Sequence, residues 1–392
     1  MAASTAGKVA LYAAVGPALT HYDVDVEAAT LTERATIEMP ANVHYCWPHA
    51  SRRFLYVASS DSASGVGGPV GSKHNVSALS IDPATGALWP HGAPIDLPTR
   101  PIHMTTDIPS EHILVAFSNP SGLRVYRINP DGTPGREVMQ TEEIHPGIYA
   151  HQVRVRTDNR KVVLVARGHD AAHGNDEEPG ALLVFDYQNG QLSNEATIAP
   201  NGGYGFGPRH LDFHPTQPWV YVSLERQNRL DLFAFHDRML LAVPLHREGT
   251  LAAPDNIHVR QAVGTVKVHP DGHTAYVANR ASTAKDGVFV GGENNLAVFA
   301  LDPEDGTPRP IQHADTRGIH CRNFHIDPSG RLLVASHIMG LHVSDDAGGN
   351  TSVVPACLSV FRIADDGTLD FVRKYDVDVG DRQMFWMGMV AL

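Results

Sequence analysis

Four residues of this 392-residue sequence carry side chains suited to acid–base chemistry on an anion: His151 in YAHQV, Arg209 in GPRH, Glu225 closing WVYVSLE and Arg280 in ANR. An imidazole or a carboxylate serves as a general base. Guanidiniums stabilise a developing oxyanion, or grip phosphate and carboxylate in bidentate fashion. The four are scattered widely along the chain, so only a repeating architecture brings them to one place.

Such a repeat is present. Apolar runs are short, rich in Val, Leu, Phe and Tyr, and cut by Pro, Gly, Asp and Asn, the pattern of an all-β chain. A turn followed by a hydrophobic strand recurs in HASRRFLYV, IPSEHILV, RTDNRKVVLV, HPTQPWVYV, HPDGHTAYV and DPSGRLLV. Aligning the turns at Ala50, Pro109, Thr157, Pro215, Pro270 and Pro328 gives gaps of 59, 48, 58, 55 and 58, a mean of about 56. One apolar strand precedes each turn and two follow the second strand, as in ALLVFDY and QLSNEATIA, so each unit is four antiparallel strands, a β-propeller blade. Six units begin at His44 or later. The N-terminal segments VALYAAV and LTHYDVD belong to a seventh, and MFWMGMV at the far end supplies its missing inner strand. The expectation is an all-β, seven-bladed β-propeller forming one domain over residues 1–392. Its first blade is shared between about 8–39 and 383–391, and pairing of the chain ends leaves no free sheet edge. Neither a WD dipeptide nor a kelch pattern recurs.

In a blade the first strand lines the central channel and the second returns antiparallel to it, so the start of one and the end of the other share a rim. Six residues before each turn stand His44, His103, His151, Arg209, Gly264 and Arg322; at the second-strand ends stand Ser60, Ser118, Gly168, Glu225, Arg280 and His337. Bases therefore gather at one channel mouth. Four long loops reach the same rim and are candidate walls: SDSASGVGGPVGSKHN, GHDAAHGNDEEPG, RASTAKDGVFVGGENN and HIMGLHVSDDAGGNTSVVP. GVGGPVGS lacks the lysine and helix of a phosphate-binding loop.

The blocks GPRHLDFHP with WVYVSLE, VHPDGHTAYVANR and CRNFHIDPSGRLLVAS resemble the seven-bladed propeller lactonase family, which includes propeller-type 6-phosphogluconolactonases and the fungal carboxymuconate cyclase. The similarity runs from about residue 8 to the C-terminus. It implies a metal-independent site at the channel mouth with His151, Arg209, Glu225 and Arg280 as catalytic residues, and a carboxylic-ester hydrolase that opens a small anionic lactone, or the lactonising cyclase that closes one. Either His151 or Glu225 is then the base. Substrate contacts are expected from His44, His103, His210, Asn279, Arg322 and His337, and no cofactor is implied. The family's YVGTY opening is replaced by LYAAVG, and Ser336 with His337 stands where an Asn–Gln pair is common; both departures bear on the substrate more than on the fold.

Structural roles compete with these. Glu225 with Arg209 or Arg280 is also what a buried ion pair looks like, and His151, His44 and His103 are also what channel histidines look like. His145, His214 and His269 precede proline and read as turn residues. Arg322 and Asn323 are placed to tie neighbouring blades. A metal reading needs His44, His103 and His151, or His210, Asp212 and His214, to converge within about 2.0 to 2.2 Å of one ion, whereas strands around a seven-fold channel diverge. The acidic loop HDAAHGNDEE reads as a solvated segment. A non-catalytic propeller that binds an anionic metabolite or a protein, and a metal-dependent lactonase or oxidoreductase, are the alternative functions.

Composition narrows the partners. With 31 Lys plus Arg against 43 Asp plus Glu the formal charge is −12, which argues against nucleic acid and anionic membranes and leaves a small lactone or its hydroxy acid as the partner. Cys46, Cys321 and Cys357 are odd in number and lack CxxC spacing, so a reducing compartment, the cytoplasm, is expected. The start MAASTAGKVALYAAVGP lacks the basic region and cleavage site of a signal peptide. Nothing in the sequence speaks to oligomeric state.

Overall fold

The computed structural model describes residues 7–63, 70–172, 174–344 and 350–392. Seven antiparallel sheets radiate from a central channel as the blades of a propeller. Second strands such as His112–Ser118 and Trp219–Leu224 are buried along their whole length, whereas outer strands such as Thr30–Glu38 alternate towards solvent. Apolar side chains from both faces of each sheet form seven clusters, each filling one junction between neighbouring blades.

Closure follows the expected pairing: Val9–Val15 runs antiparallel to Met384–Ala391, so the C-terminal strand becomes the inner strand of the first blade. The junction it completes packs Leu11, Ala13 and Met387 against Leu332, Val334 and Leu358. Four junctions carry a further latch, in which a buried tyrosine of the second strand donates to a turn glycine of the next blade: Tyr12 to Gly86 at 2.7 Å, Tyr56 to Gly132 at 3.0 Å, Tyr221 to Gly306 at 2.8 Å and Tyr276 to Gly367 at 2.8 Å. At Gly306 both backbone and space demand glycine, since φ is +78° and a Cβ would lie 2.6 Å from the Trp219 ring. His214 and His269 bond the carbonyls of Gly272 and Gly330 in the next blade at 2.9 and 2.8 Å, the structural role expected of them.

Departures from the expected outline are local. The fourth strand placed at LLAVPLHR is two short pieces, Met239–Leu240 and His246–Gly249, because Pro244 between them has no N–H to give the ladder. In the third blade the outer strand is Pro134–Glu137 rather than the whole of REVMQTEEI. Two of the expected walls pair with each other: hairpins Ala284–Lys285 with Val288–Phe289 and Leu341–Ser344 with Thr351–Val354 join at Val288 and His342 into a small sheet of their own. Residues 64–69, 173 and 345–349 of the expected walls, and residues 1–6 of the N-terminal segment, lie outside the described residues.

Every inner strand holds one extra residue against its neighbour, a β-bulge, at the same level of the channel. The extra residues are His44, Ile102, His151, Arg209, Gly264, Arg322 and Phe385. A bulge bends its strand and re-aims a side chain, and here the side chains of Ile102, His151, Arg209, Arg322 and Phe385 line one mouth. The ladder corrects the spacing argument in the third blade: Ile102, not His103, takes the rim position, because Pro109 stands one residue later in its turn than the other aligned positions. Below the bulges the strand period of two places Tyr45, His103, Gln152, His210 and Asn323 on the channel, and beneath them Trp47, Arg154, Asp212, Lys267 and His325.

The buried histidines give the fold an acid limit. Burial pushes His44 and His325 down to about 3 and His337 to about 4, and holds His103, His151, His210 and His320 well below the usual imidazole value. Their unfolded forms take up protons near pH 6.5 while the folded forms do not, so stability is full above that pH and is lost as pH falls below it. The melting temperature is expected to be flat between about pH 7 and 8 and to fall from about pH 6.5, before carboxylates titrate. Calorimetry against pH checks this. Met387→Asp, which puts an unpaired charge into the fully buried closing junction, is expected to cost about 3 kcal/mol or more, read as a lowered midpoint in urea.

Candidate active site

The bulges and the second-strand ends meet at a cavity of about 1150 Å³ at the channel mouth. His151, Arg209, Arg322 and Phe385 reach it from the bulges, and Arg167, Glu225, Arg280 and Ile338 from the strand ends. Backbone bonds set the register of the second group: Arg167 N to Tyr149 O at 2.9 Å, Glu225 N to Gly207 O at 2.9 Å and Ile338 N to His320 O at 3.3 Å. Arg167 and Ile338 therefore hold the rim positions that spacing gave to Gly168 and His337.

Glu225 is the centre of the floor. Its carboxylate accepts from Arg209 Nη1 at 3.0 Å, and also from Arg167 Nε and Arg280 Nη2. Burial alone would raise the Glu225 carboxyl, but Arg209, Arg280 and Arg167 outweigh it and hold it well below the usual carboxylate range. A carboxylate so held is a weak base, and what it does is fix three cations in one plane of contact.

Cations outnumber it. Arg100 and Arg322 line the same cavity. Burial and then Arg280 bring the pKa of Arg209 down to about 9, and burial with Arg209, Arg280 and Arg100 holds Arg322 well below the ordinary guanidinium value. Guanidiniums that depress one another lack counter-charge, which a bound anion supplies. Arg322 Cζ lies 3.6 Å from the centre of the Phe385 ring, an interaction that offsets part of its desolvation. The loop read as solvated is exposed over most of its described residues and is also tied down by ion pairs: Asp170 pairs with Arg167 at 2.9 Å and with Arg226, Glu177 with Arg226, and Glu178 with His169 at 2.5 Å.

His151 faces this floor with its Nδ1 buried and unpartnered. Burial, then Arg209 and His210, hold its pKa well below the usual value, so the ring is neutral throughout the physiological range. The cavity also holds a hydroxyl–imidazole pair, Ser282 Oγ and His320 Nδ1 at 3.0 Å. Its polarity is wrong for a nucleophile. Arg280 Nη1, a donor only, stands 3.3 Å from His320 Nε2, so Nε2 accepts and the proton sits on Nδ1, pointing at the serine.

Of the substrate contacts expected from sequence, Arg322 lines the cavity and the others lie behind or beneath it. His44 is buried at an edge-on contact with Phe385, ring centres 5.1 Å apart, and both its nitrogens lack partners. His103 and His210 sit one level down the channel, His210 at 5.2 Å from His151 and 6.3 Å from His103. Asn279 is fully buried and ties Thr250 O to Asn295. His337 is fully buried against Cys357. Asn323 Nδ2 donates to Met387 O, tying the last blade to the closing strand as expected. Sequence reasoning missed Arg100, Arg167, Tyr149 and His320; Arg167 in VARGHD was within reach, one residue from the position counted.

The imidazoles weighed as metal ligands do not converge. Among the described residues, one group of three His, Cys, Asp or Glu side chains brings its ligand atoms within 4.8 Å: Asp107, Glu111 and His112. It lies in the turn at the opposite end of the third blade, where Asp107 accepts from the backbone of Glu111 and His112 and from Tyr187.

Comparisons with known proteins agree with this fold. The chain is 26% identical over 353 residues to the 6-phosphogluconolactonase of Bacillus subtilis (strain 168), covering 86% of this chain and 90% of the relative. It is 26% identical over 325 residues to the 6-phosphogluconolactonase of Enterobacter sp. (strain 638), covering 80% and 83%. The fold matches that of the periplasmic gluconolactonase of Pseudomonas aeruginosa with a TM-score of 0.74 at 19% identity, over 98% of this chain and 99% of that one. A Lactobacillus plantarum protein gives 0.71 at 20% identity, over 98% of each chain. The family profile described as "Lactonase, 7-bladed beta-propeller" matches residues 7–344. The chain belongs to the seven-bladed β-propeller lactonase family.

Proposed function

We propose that this chain, a lactonase by family, hydrolyses a small lactone that carries an anionic group, phosphate or carboxylate, with His151 as general base. The observation that carries the reading is the set of guanidiniums from Arg100, Arg167, Arg209, Arg280 and Arg322 around the buried Glu225 carboxylate and the neutral His151 at the cavity floor, the other lining carboxylates, Asp170, Asp176, Glu177 and Glu178, belonging to one loop on its wall. Neutral His151 takes a proton from the attacking water. The carbonyl oxygen becomes an oxyanion beside Arg209 and Arg280, already fixed by Glu225, so little reorganisation is needed as charge develops. Collapse breaks the acyl–oxygen bond, the proton taken up by His151 passes to the departing ring oxygen, and the hydroxy acid that results turns its new carboxylate to the guanidiniums. Arg100, which bonds Ser118 and Tyr149 but no carboxylate, and Arg322, stacked on Phe385, hold the substrate's own anion in bidentate fashion. A lactonising cyclase would run the same parts backwards.

Phosphosugar lactones are the first substrates to try, because the curated relatives bear the name 6-phosphogluconolactonase. We take the cytoplasm as the compartment, since Cys46, Cys321 and Cys357 are all unpaired and buried. Among the described residues no helix is long and apolar enough to cross a membrane.

Replacing the base tests the mechanism. His151→Ala is expected to lower kcat by about 10²- to 10⁴-fold with the fold intact by circular dichroism; unchanged kcat on every lactone that wild type opens removes His151 as base. Because burial and the arginines keep its pKa low, the acid limb of kcat/KM is expected well below pH 6.5, not at it. Glu225→Gln leaves three buried guanidiniums without their carboxylate and is expected to cost about 3–5 kcal/mol of stability, with part of the lost melting temperature restored by millimolar phosphate. A variant of unchanged stability that has lost only kcat would instead make Glu225 the base.

A further inference from the structure

Two residues two positions before the bulges adopt a backbone conformation that their side chains disfavour. Tyr149 has φ +57° and His320 φ +58°, in the left-handed region. The equivalent residue of the fifth blade is Gly207, φ +45°, where glycine meets the same demand without strain. The three are equivalent by backbone pairing, since the carbonyls of Tyr149, Gly207 and His320 each accept from the residue that ends the second strand: Arg167, Glu225 and Ile338. Of the other left-handed residues, Asn159, Asn189, Asn201, Asn228, Asp237 and Asp286 are Asn or Asp, and Ala29, Arg52, Ser110, Arg238 and Arg317 do not line the cavity. A tyrosine and a histidine at positions that glycine fills elsewhere in the ring call for a reason outside the backbone.

Both line the catalytic cavity. They come from the fourth and seventh blades, nearly opposite each other, and each touches a different part of the machinery. The Tyr149 ring stacks on His151, centres 6.4 Å apart and planes 24° apart, and packs edge-on to His169 at 4.9 Å. Arg167 Cζ lies 5.8 Å from its ring centre. His320 receives Arg280 Nη1 on Nε2 and directs Nδ1–H at Ser282, while its backbone N–H is tied to Asn294 Oδ1 at 2.8 Å. That tie, with the carbonyl pairing, holds the strained backbone in place.

We propose that Tyr149 and His320 are positioning residues, kept in the left-handed conformation so that Tyr149 aligns the His151 ring and His320 aligns the Arg280 guanidinium across the substrate. This rests on the proposed lactone hydrolysis. His320 acts through Arg280, which stands beside the developing oxyanion, so it governs kcat. Tyr149 governs kcat through the His151 ring, and its side chain also hydrogen-bonds Arg100, which holds the substrate's anion, so it bears on KM as well.

Steady-state kinetics on 6-phosphogluconolactone and calorimetry of the full-length chain test it, using variants whose backbones accept this conformation. Tyr149→Gly is expected to lower kcat by about ten- to a hundred-fold and to raise KM through the lost contact with Arg100, and Tyr149→Phe, which keeps the ring but not the hydroxyl, to recover most of kcat while KM stays raised. His320→Asn is expected to lower kcat by about ten-fold with the smaller change in KM, since asparagine tolerates φ above zero but does not span to Arg280. Both Tyr149→Gly and His320→Asn should melt at or above the wild-type temperature, because strain is removed. Wild-type kinetic constants in either variant, or losses that track a fall in melting temperature, overturn the proposal. Should wild type open no lactone, the functional reading fails by itself, and the positioning of Arg280 is still read by calorimetric titration of inorganic phosphate: weaker binding to His320→Asn supports it and equal binding overturns it.

Discussion

The contact between Glu225 and the guanidiniums of Arg167, Arg209 and Arg280 is the interaction on which the rest of the site depends. Three cations from three blades could not be desolvated at one point without a carboxylate among them, since an uncompensated buried charge costs several kcal/mol. With it, they are fixed before a substrate arrives, and fixed charge is what stabilises a transition state without reorganisation. The same contact explains why Glu225 is a poor proton acceptor. Its affinity for protons is spent on arginine, which is why the proposed mechanism gives the acid–base work to the neutral His151.

The fold delivers that contact through one repeated device. Each inner strand carries a bulge, five of which bring a side chain to the mouth, and the pairing of Val9–Val15 with Met384–Ala391 closes the ring so that all seven bulges share a level. Inter-blade clusters and the tyrosine-to-glycine latches hold adjacent blades in register. Among the residues that line the cavity, left-handed backbone at a side chain other than glycine falls at Tyr149 and His320. The cost of the arrangement appears as acid sensitivity, because the axis is packed with imidazoles that must stay neutral.

Much of this was legible from the sequence. The repeat of about 56 residues carried the blade count, the closure by MFWMGMV, and the gathering of His151, Arg209, Glu225 and Arg280 at one mouth. What it misplaced has a single cause: counting from turn prolines assumes that every turn is cut alike. Pro109 sits one residue late, so His103 was lifted to a level that Ile102 occupies, and Gly168 and His337 were taken for Arg167 and Ile338. Register is set by the hydrogen-bond ladder, which a bulge shifts by one residue without changing the hydrophobic pattern. The roles of Tyr149 and His320 were out of reach for another reason, since the sign of φ at a tyrosine or a histidine leaves no mark in composition.

The central claim is that the arginine floor selects a lactone bearing its own negative charge. The most direct measurement is the ratio of kcat/KM for 6-phosphogluconolactone to that for unphosphorylated gluconolactone on the wild-type protein, at one pH and low salt. Buried guanidiniums that gain a phosphate partner should favour the phosphorylated substrate by about a hundred-fold or more, and the preference should shrink as salt rises. Equal or reversed preference would contradict the claim.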